Sequence, residues 1–379
     1  MNLQYKSMFI GVQTGLPVLL WGEPGIGKSS IVCALSVATK RHLETVICST
    51  RDPSDLGLGL PTIVRGESGI PGLGQWVEYA PPGFALRILR ESAQNKESIL
   101  LLDELSQAAP AQQAAAMRVV LDREVGDHTL PETCWIIAAA NPADIAAGGW
   151  DLAAPLANRF IHLDVSVDVG SWADGMVAGF PAPNVPVLPK GWRSLIPGKM
   201  AIVASFGRAR PELVQRMPEG EQGRAWPSCR TWEYAAILSA ACDSAGADDC
   251  RLPLLAGAVG EGPAVEFLEY ERRMDLPDVN QEFLPPHGHP RNYQTPNRGD
   301  RASALWSSIG SAVLQDCTLD RWNAAMAMAE QAAEENAVDV AAPHVRQLLH
   351  SKPAGARISG NKALRAFAGV LKEASEAQK

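Results

Sequence analysis

The sequence predicts an α/β fold in which helices cover both faces of a parallel β-sheet, followed by an all-helical part. Five short apolar segments lie within the first 165 residues and alternate with helical stretches. These segments do not alternate polar with apolar residues, as is typical of strands that are buried on both faces. From residue 198 onward, the spacing of apolar residues and the many alanines favour helices.

The elements of the first part follow from this pattern in chain order. We predict strands at residues 18–21, 45–48, 99–102, 135–140 and 160–165, and helices at residues 30–39, 84–94 and 109–122. Between the second and third strands, residues 52–82 are rich in glycine and proline. This segment is too long for an ordinary connection, so it is either a functional loop or an inserted hairpin. A second hairpin is expected to turn at Gly126 and Asp127.

Two segments rich in proline and glycine divide the chain. We predict an α/β domain at residues 1–178, a linker at 179–197, a helical domain at 198–275, a second linker at 276–300 and a helical extension at 301–379. Helices are expected at residues 200–206, 211–217, 231–242, 263–273, 302–314, 320–335 and 364–376.

Composition excludes some classes of protein. The chain has 42 acidic and 34 basic residues and a net charge of −8, which disfavours a general binder of nucleic acids or of acidic membranes. Its seven cysteines form no CxxC pair, as is typical of buried thiols in a reducing compartment. We see no signal peptide and no apolar run of membrane-spanning length, so we expect a cytoplasmic protein.

Residues 16–30, LPVLLWGEPGIGKSS, contain the most specific motif. An apolar strand precedes it and a helix follows it, which is the context that a GxxxxGK[ST] phosphate-binding loop requires. Glycines let backbone N–H groups point at phosphate oxygens, the lysine supplies a positive charge, and the serine hydroxyl can bind Mg²⁺. The alternative is an accidental glycine-rich turn. The predicted nucleotide-binding residues are Gly22, Glu23, Pro24, Gly25, Ile26, Gly27, Lys28, Ser29 and Ser30.

Two carboxylates end the third predicted strand, which reads SILLLDE. Such a strand places Asp103 and Glu104 at the carboxyl edge of the sheet, where open α/β folds bind ligands. Asp103 would hold Mg²⁺, directly or through water, and Glu104 would orient and deprotonate the attacking water. The alternative is a pair of acids that caps the following helix.

Two further polar residues follow later strands. Asn141 ends the strand CWIIAAA and would help to position water beside the outer phosphate, although Asn-Pro is also an ordinary turn signal. Arg159 comes just before the fifth strand and cannot easily reach its own phosphate loop. It is therefore a candidate donor to the nucleotide of a neighbouring subunit, where an arginine stabilises charge during phosphoryl transfer. Arg123 is a second, weaker candidate for that role.

The order of these parts resembles the AAA+ ATPases, specifically the MoxR branch. The resemblance covers residues 1 to about 240 and rests on GEPGIGKSS, LLLDE, AAANP and LANRF, together with DPSDLGLGLP and DELSQAAPAQQAA. It implies a P-loop NTPase sandwich (an AAA+ core), an all-α lid and a C-terminal helical extension. It also implies that the protein is an enzyme, an ATP hydrolase that uses ATP and Mg²⁺.

The resemblance also implies roles for single residues. Asn141 would be the sensor-1 residue, Arg159 the arginine finger acting in trans, and Arg230 of WPSCRTWEYA the sensor-2 residue that reaches back to the bound nucleotide. Catalysis would thus rest on Glu104, Lys28, Asn141, Arg159 and Arg230, with Ser29 and Asp103 as metal ligands. Residues 56–82 would be an insert in the second helix that faces the ring pore or a partner.

At the level of assembly, the resemblance implies a homo-oligomeric ring, a hexamer in this branch. Its expected task is chaperone-like remodelling or maturation of a partner protein, often one with a von Willebrand factor A domain. A GTPase would need an [NT]KxD motif, and the nearest segment, residues 361–364, lacks the aspartate. A nucleic-acid-associated remodeller and a slow nucleotide-dependent scaffold or switch stay open as alternatives.

Overall fold

The computed structural model describes residues 2–66, 70, 74–142, 150–217, 224–274, 276–356 and 367. They belong to two compact units, the first comprising Met1–Trp192 and Gln215–Val265 and the second Arg193–Val214 and Glu266–Lys379. Residues 198–275, which we predicted as one helical domain, contribute to both units. The helix predicted at residues 364–376 lies outside the described residues, apart from Phe367.

The first unit contains every strand that the structure describes. The strands are β1 (Val18–Trp21), β2 (His42–Ile47), β3 (Leu60–Arg65), β4 (Gln75–Ala80), β5 (Ser98–Asp103), β6 (Glu124–Val125), β7 (His128–Thr129), β8 (Trp135–Ala140) and β9 (Ile161–Asp164). Its helices are α1 (Leu3–Gln13), α2 (Lys28–Thr39), α3 (Gly83–Ala93), α4 (Pro110–Leu121), α5 (Ala154–Ala157), α6 (Val169–Ala178), α8 (Cys229–Ala245) and α9 (Arg251–Val259).

Five strands form one parallel sheet in the order β2-β5-β8-β1-β9. In β1, β5 and β8 the side chains are almost all buried because helices cover both faces, which explains the absence of polar–apolar alternation there. In the edge strand β2, Thr45 and Ile47 are exposed. Parallel strands all end at one edge, so the residues that follow β1, β5 and β8 meet there. The predicted fold class, a parallel α/β sheet followed by helices, is confirmed.

The glycine-rich segment at residues 52–82 contains an inserted hairpin. Strands β3 and β4 pair in antiparallel register, from Leu60 opposite Ala80 to Arg65 opposite Gln75. The base of this hairpin is fixed to the small β6–β7 hairpin, because Asp127 Oδ2 accepts a 2.6 Å hydrogen bond from the backbone N–H of Tyr79. The insert is therefore a defined element of the first unit.

The second unit is helical. It contains α7 (Ile196–Ala209), α11 (Val279–Glu282), α12 (Gly299–Gln315), α13 (Leu319–Glu334) and α14 (Val338–His350), while α10 (Glu261–Met274) contributes residues to both units. The segment predicted as a second linker packs into this core: Leu284 and Tyr293 are fully buried, and Tyr293 Oη accepts a 2.8 Å hydrogen bond from Trp306 Nε1. Proline and glycine there shape tight turns within a packed unit.

Some helices differ from the prediction. The prediction lacks helices α1, α5, α6, α9, α11 and α14, and residues 211–217 form only a 3₁₀ turn at Pro211–Leu213. Proline disfavours helical backbone in the residue before it, so only a short turn forms in the six residues between Pro211 and Pro218. Among the helices that the structure describes, none is both long and apolar enough to cross a membrane.

Candidate active site

The phosphate-binding loop lies between the end of β1 and the start of α2. Gly25 and Gly27 have φ of +82° and +94°, a region that side chains disfavour. Gly22 is required for a different reason: a Cβ there would lie 2.7 Å from the carbonyl oxygen of Val165. The loop thus curls tightly and ends at Lys28, the first residue of α2. Glu23, Pro24 and Ile26 lie in the same loop, whereas Ser29 and Ser30 lie in the first turn of α2, where both are exposed.

Lys28 is buried and its ammonium group is held by three oxygens. Nζ donates to the carbonyls of Gly22 and Glu23, at 2.7 and 2.9 Å, and to Asn141 Oδ1 at 2.8 Å. Burial lowers the pKa of Lys28, and the charge of Asp103 opposes that shift. The lysine therefore already lies between the phosphate loop and the end of β8, where the outer phosphates of a nucleotide would replace the carbonyl oxygens.

Ser29 and Asp103 form the second pair of the site. Ser29 Oγ donates a 2.6 Å hydrogen bond to Asp103 Oδ2 at the end of β5. A hydroxyl and a carboxylate are oxygen donors of the kind that Mg²⁺ prefers, and this ion usually completes its coordination with phosphate oxygens and water. The pair therefore fits a Mg²⁺ ion, which would neutralise charge on the outer phosphates.

Glu104 follows Asp103 in a left-handed conformation, with φ of +57°. Its carboxylate accepts a short hydrogen bond from Ser49 Oγ. Ser49 follows β2, the strand that pairs with β5, and Ile47 lies opposite Asp103 in the register. Ser49 carries no local sequence signal for this role, because only the order of strands in the sheet brings it beside the carboxylate.

Asn141 is positioned by a second serine that the sequence analysis missed. Ser106 Oγ accepts a hydrogen bond from the backbone N–H of Asn141 and donates one to its carbonyl, both at 3.1 Å. Ser106 is buried in the 3₁₀ turn Leu105–Gln107 that follows Glu104. This contact fixes the backbone of Asn141, so that its side chain faces Lys28.

Arg159 lies at the opposite edge of the sheet. It precedes β9, and the backbone N–H of Ile161 bonds to Pro17 just before β1. One nitrogen of Arg159 donates to the Pro155 carbonyl, whereas Nε is buried and has no hydrogen-bond partner within the described part of the chain. Burial lowers the pKa of Arg159, and the nearby charge of Arg230 lowers it further.

Arg230, which the resemblance expects to reach back to the bound nucleotide, lies close enough to Arg159 for its charge to lower the pKa of that arginine. Both arginines also lie close to Tyr234, whose pKa is raised by burial and lowered by the two guanidinium charges. The reason is local: α8 begins next to Asn158, which accepts a 2.8 Å hydrogen bond from the capping Ser228. The predicted site residues thus form two groups. Arg159 and Arg230 lie close together near the start of β9. The other group lies at the carboxyl edge of the sheet and consists of Lys28, Ser29, Asp103, Glu104 and Asn141.

Arg123, the weaker candidate for a charge acting on a neighbour, has another position. Its guanidinium donates to the carbonyls of Gly15, Pro131 and Cys134, at 3.0, 3.2 and 2.7 Å. These residues precede β1 and β8, so Arg123 connects loops at the amino edge of the sheet. Its hydrogen-bonding capacity is largely used within its own chain.

Comparison with known proteins identifies the first part of the chain. Residues 18–149 match the model of the AAA family, described as ATPases associated with various cellular activities. The structure of a "putative ATPase" from Cytophaga hutchinsonii is 14% identical, with a TM-score of 0.41, over 69% of this chain and 87% of that protein. NtrX from Brucella abortus is 14% identical, with a TM-score of 0.26, over 67% of this chain and 50% of its own. No curated protein matches the sequence.

The family match contains the phosphate loop, the acidic strand and Asn141. Its boundaries run from the first residue of β1 to beyond the end of β8, so it covers four of the five parallel strands. Residues 18–149 are therefore similar to the ATPase domain of the AAA family, and the chain is an ATP hydrolase.

Proposed function

We propose that this chain is a MoxR-like AAA+ ATPase that hydrolyses ATP with Mg²⁺ in a homo-oligomeric ring, a hexamer by resemblance. ATP turnover would drive chaperone-like remodelling or maturation of a partner protein in the cytoplasm. The observation that carries the proposal is the hydrogen-bonded group of Lys28, Ser29, Asp103 and Asn141 at the carboxyl edge of the sheet.

Each member of that group has a role in hydrolysis. Lys28 binds the outer phosphates, while Ser29 and Asp103 hold Mg²⁺. Glu104 orients and deprotonates the attacking water once Ser49 releases it. Asn141 contacts Lys28 and positions the water beside the outer phosphate. All five come from three neighbouring strand ends, so binding of ATP brings their side chains onto a single ligand.

The position of Arg159 and Arg230 supports action between subunits. Strand β9 separates Arg159 from the carboxyl edge, and a parallel strand of this length spans about 10 Å. Two positive charges lie close together there: burial lowers the pKa of Arg159, and the charge of Arg230 lowers it further. An anion would relieve this repulsion. We infer that the pair meets the phosphates of a nucleotide bound by the adjacent subunit.

The inserted hairpin is our candidate for the contact with a partner protein. Ile63 and Val77 lie opposite each other on one face and are 64% and 54% exposed. Leu60 and Tyr79 of the same hairpin are exposed as well, and an exposed apolar patch marks a protein-interaction surface. The resemblance suggests a partner that carries a von Willebrand factor A domain.

Release of phosphate from ATP tests the enzymatic part of this proposal. We expect Mg²⁺-dependent turnover by the wild type, loss of nucleotide binding in Lys28→Ala, and retained binding with lost turnover in Glu104→Gln. A Lys96→Ala variant, which changes an exposed lysine, is the matched control. Equal turnover in all four proteins would contradict the proposal. Stimulation by DNA or RNA, in place of a protein partner, would favour the nucleic-acid-associated alternative.

A further inference from the structure

Unlike Arg159 and Arg230, Arg224 lies at the carboxyl edge of the sheet, on the side away from Asp103. Arg224 donates a 2.6 Å hydrogen bond to Asp164 Oδ1, and its guanidinium carbon lies 4.8 Å from the centre of the Trp21 ring. Trp21 and Asp164 are the last residues of β1 and β9 and lie opposite each other in the register. Arg224 is thus next to Gly22, the first residue of the phosphate loop.

The surface beneath Arg224 is rigid. Trp21 Nε1 donates a 2.8 Å hydrogen bond to His162 Nδ1, and His162 Nε2 donates to the carbonyl of Ala157 at 2.9 Å. The histidine is buried, and burial lowers its pKa to about 4, so its ring is neutral and accepts the tryptophan N–H. An arginine that stacks on such a fixed ring has a defined position.

The order of the strands gives the direction of a bound nucleotide. From Asp103 on β5, the sheet continues through β8 and β1 to β9. The outer phosphates lie toward Asp103 and Asn141, because Lys28 and the proposed Mg²⁺ site are there. The inner phosphate and the nucleoside then lie on the β9 side, where Arg224 is found.

The ion pair of Arg224 can be exchanged at little cost. The side chains of Arg224 and Asp164 are 50% and 74% exposed, and an exposed ion pair contributes at most about 1 kcal/mol. A guanidinium bound to phosphate makes stronger, often bidentate hydrogen bonds. A phosphate group that reaches this edge therefore competes well with Asp164.

We propose that Arg224 binds the α-phosphate of the nucleotide held by its own chain, with Asp164 orienting the guanidinium before the ligand arrives. This assignment rests on the proposed ATPase function. It gives Arg224 a task distinct from that of Arg230, which lies with Arg159. Because ATP and ADP share the α-phosphate, Arg224 strengthens binding of both equally.

The proposal is tested by calorimetric measurement of the dissociation constants for ADP and ATP in the presence of Mg²⁺. The parent protein carries Glu104→Gln, so that bound ATP is not hydrolysed. Arg224→Ala should weaken both nucleotides by the same factor, roughly tenfold, because one charge-assisted contact is lost. Arg224→Lys should restore part of the affinity. Arg90→Ala, which changes an exposed arginine on α3, should leave both constants unchanged.

Two results would overturn the assignment: unchanged constants in Arg224→Ala, or weakening of ATP alone, which would place the arginine at the γ-phosphate. A Lys28→Ala arm separates this failure from failure of the proposed function. If the parent binds neither nucleotide, the function itself is wrong. Suppose instead that the Glu104→Gln parent binds both nucleotides and that the added Lys28→Ala change abolishes this binding. If Arg224→Ala then binds both nucleotides as tightly as the parent does, only the role of Arg224 is wrong.

Discussion

Ser228 Oγ donates a 2.8 Å hydrogen bond to Asn158 Oδ1, and this contact sets the position of both arginines beside it. Ser228 caps α8 two residues before Arg230, and Asn158 directly precedes Arg159. Asn158 Nδ2 also donates to the Trp226 carbonyl at 3.3 Å. One buried amide therefore joins the segment before β9 to the start of α8.

Removal of this amide should loosen the arginine pair. Asn158→Ala removes one buried hydrogen bond from the Ser228 hydroxyl and one from the Trp226 carbonyl, although both groups keep a bond to Thr231 Oγ1. We expect the free energy of unfolding to fall by about 1–3 kcal/mol and ATP turnover to fall with it, while ADP affinity is retained. Urea unfolding, turnover assays and calorimetry measure these quantities. Asn323→Ala, an exposed position on α13, is the control. Full turnover in Asn158→Ala would show that the contact does not position the arginines.

The hydrogen bond from Ser49 should restrain Glu104 in the absence of nucleotide. This hydrogen bond holds the Glu104 carboxylate toward Ser49, which follows β2. Ser49→Ala should therefore raise basal ATP turnover by roughly threefold to tenfold, corresponding to about 1 kcal/mol for one lost hydrogen bond. Steady-state phosphate release measures this, with Thr62→Ala on the exposed hairpin as the control. A fall in turnover would instead indicate that Ser49 holds Glu104 in its active position.

His162 should make the first unit sensitive to acid. Burial lowers its pKa from 6.5 to about 4. Between these values the unfolded chain binds a proton that the folded chain does not, so the free energy of unfolding falls as the pH falls. The contribution is complete above pH 6.5 and is lost by about pH 4, a change of about 3 kcal/mol.

Urea unfolding at several pH values tests this dependence. His162→Gln keeps an acceptor for Trp21 and should lose less stability than the wild type between pH 6.5 and pH 4. His287→Gln changes an exposed histidine and should follow the wild type. Parallel pH profiles for the wild type and His162→Gln would show that the imidazole does not titrate in this way.

Features that depend on short stretches of sequence were predictable. The phosphate loop needs only consecutive residues with a strand before and a helix after, and β1 and β8 were predicted with the boundaries that the structure has. The first linker prediction lies largely in irregular chain, whereas Leu284 and Tyr293 lie in a buried core despite a linker-like composition. Composition does not reveal which turns are covered by other elements.

Features that depend on the order of strands were not predictable. Ser49 approaches Glu104 because β2 is the neighbour of β5, and Arg224 approaches Trp21 because β9 is the neighbour of β1. These partners are far apart in the sequence and carry no local pattern. Arg230 likewise lies beside Arg159 because Asn158 binds the cap of α8. The sequence identifies which residue types are present, and the fold decides which of them meet.

The central claim is that Arg159 completes the site of an adjacent subunit. Arg159→Ala and Glu104→Gln proteins should each be nearly inactive alone. Co-expressed with two different tags and purified through both, they form mixed assemblies, in which an intact Glu104 can meet an intact Arg159 of its neighbour. ATP turnover of these assemblies is the measurement to make. Recovery of a substantial share of wild-type turnover is the predicted result. Mixed assemblies as inactive as their parents, or Arg159→Ala protein with full turnover alone, would contradict action between subunits.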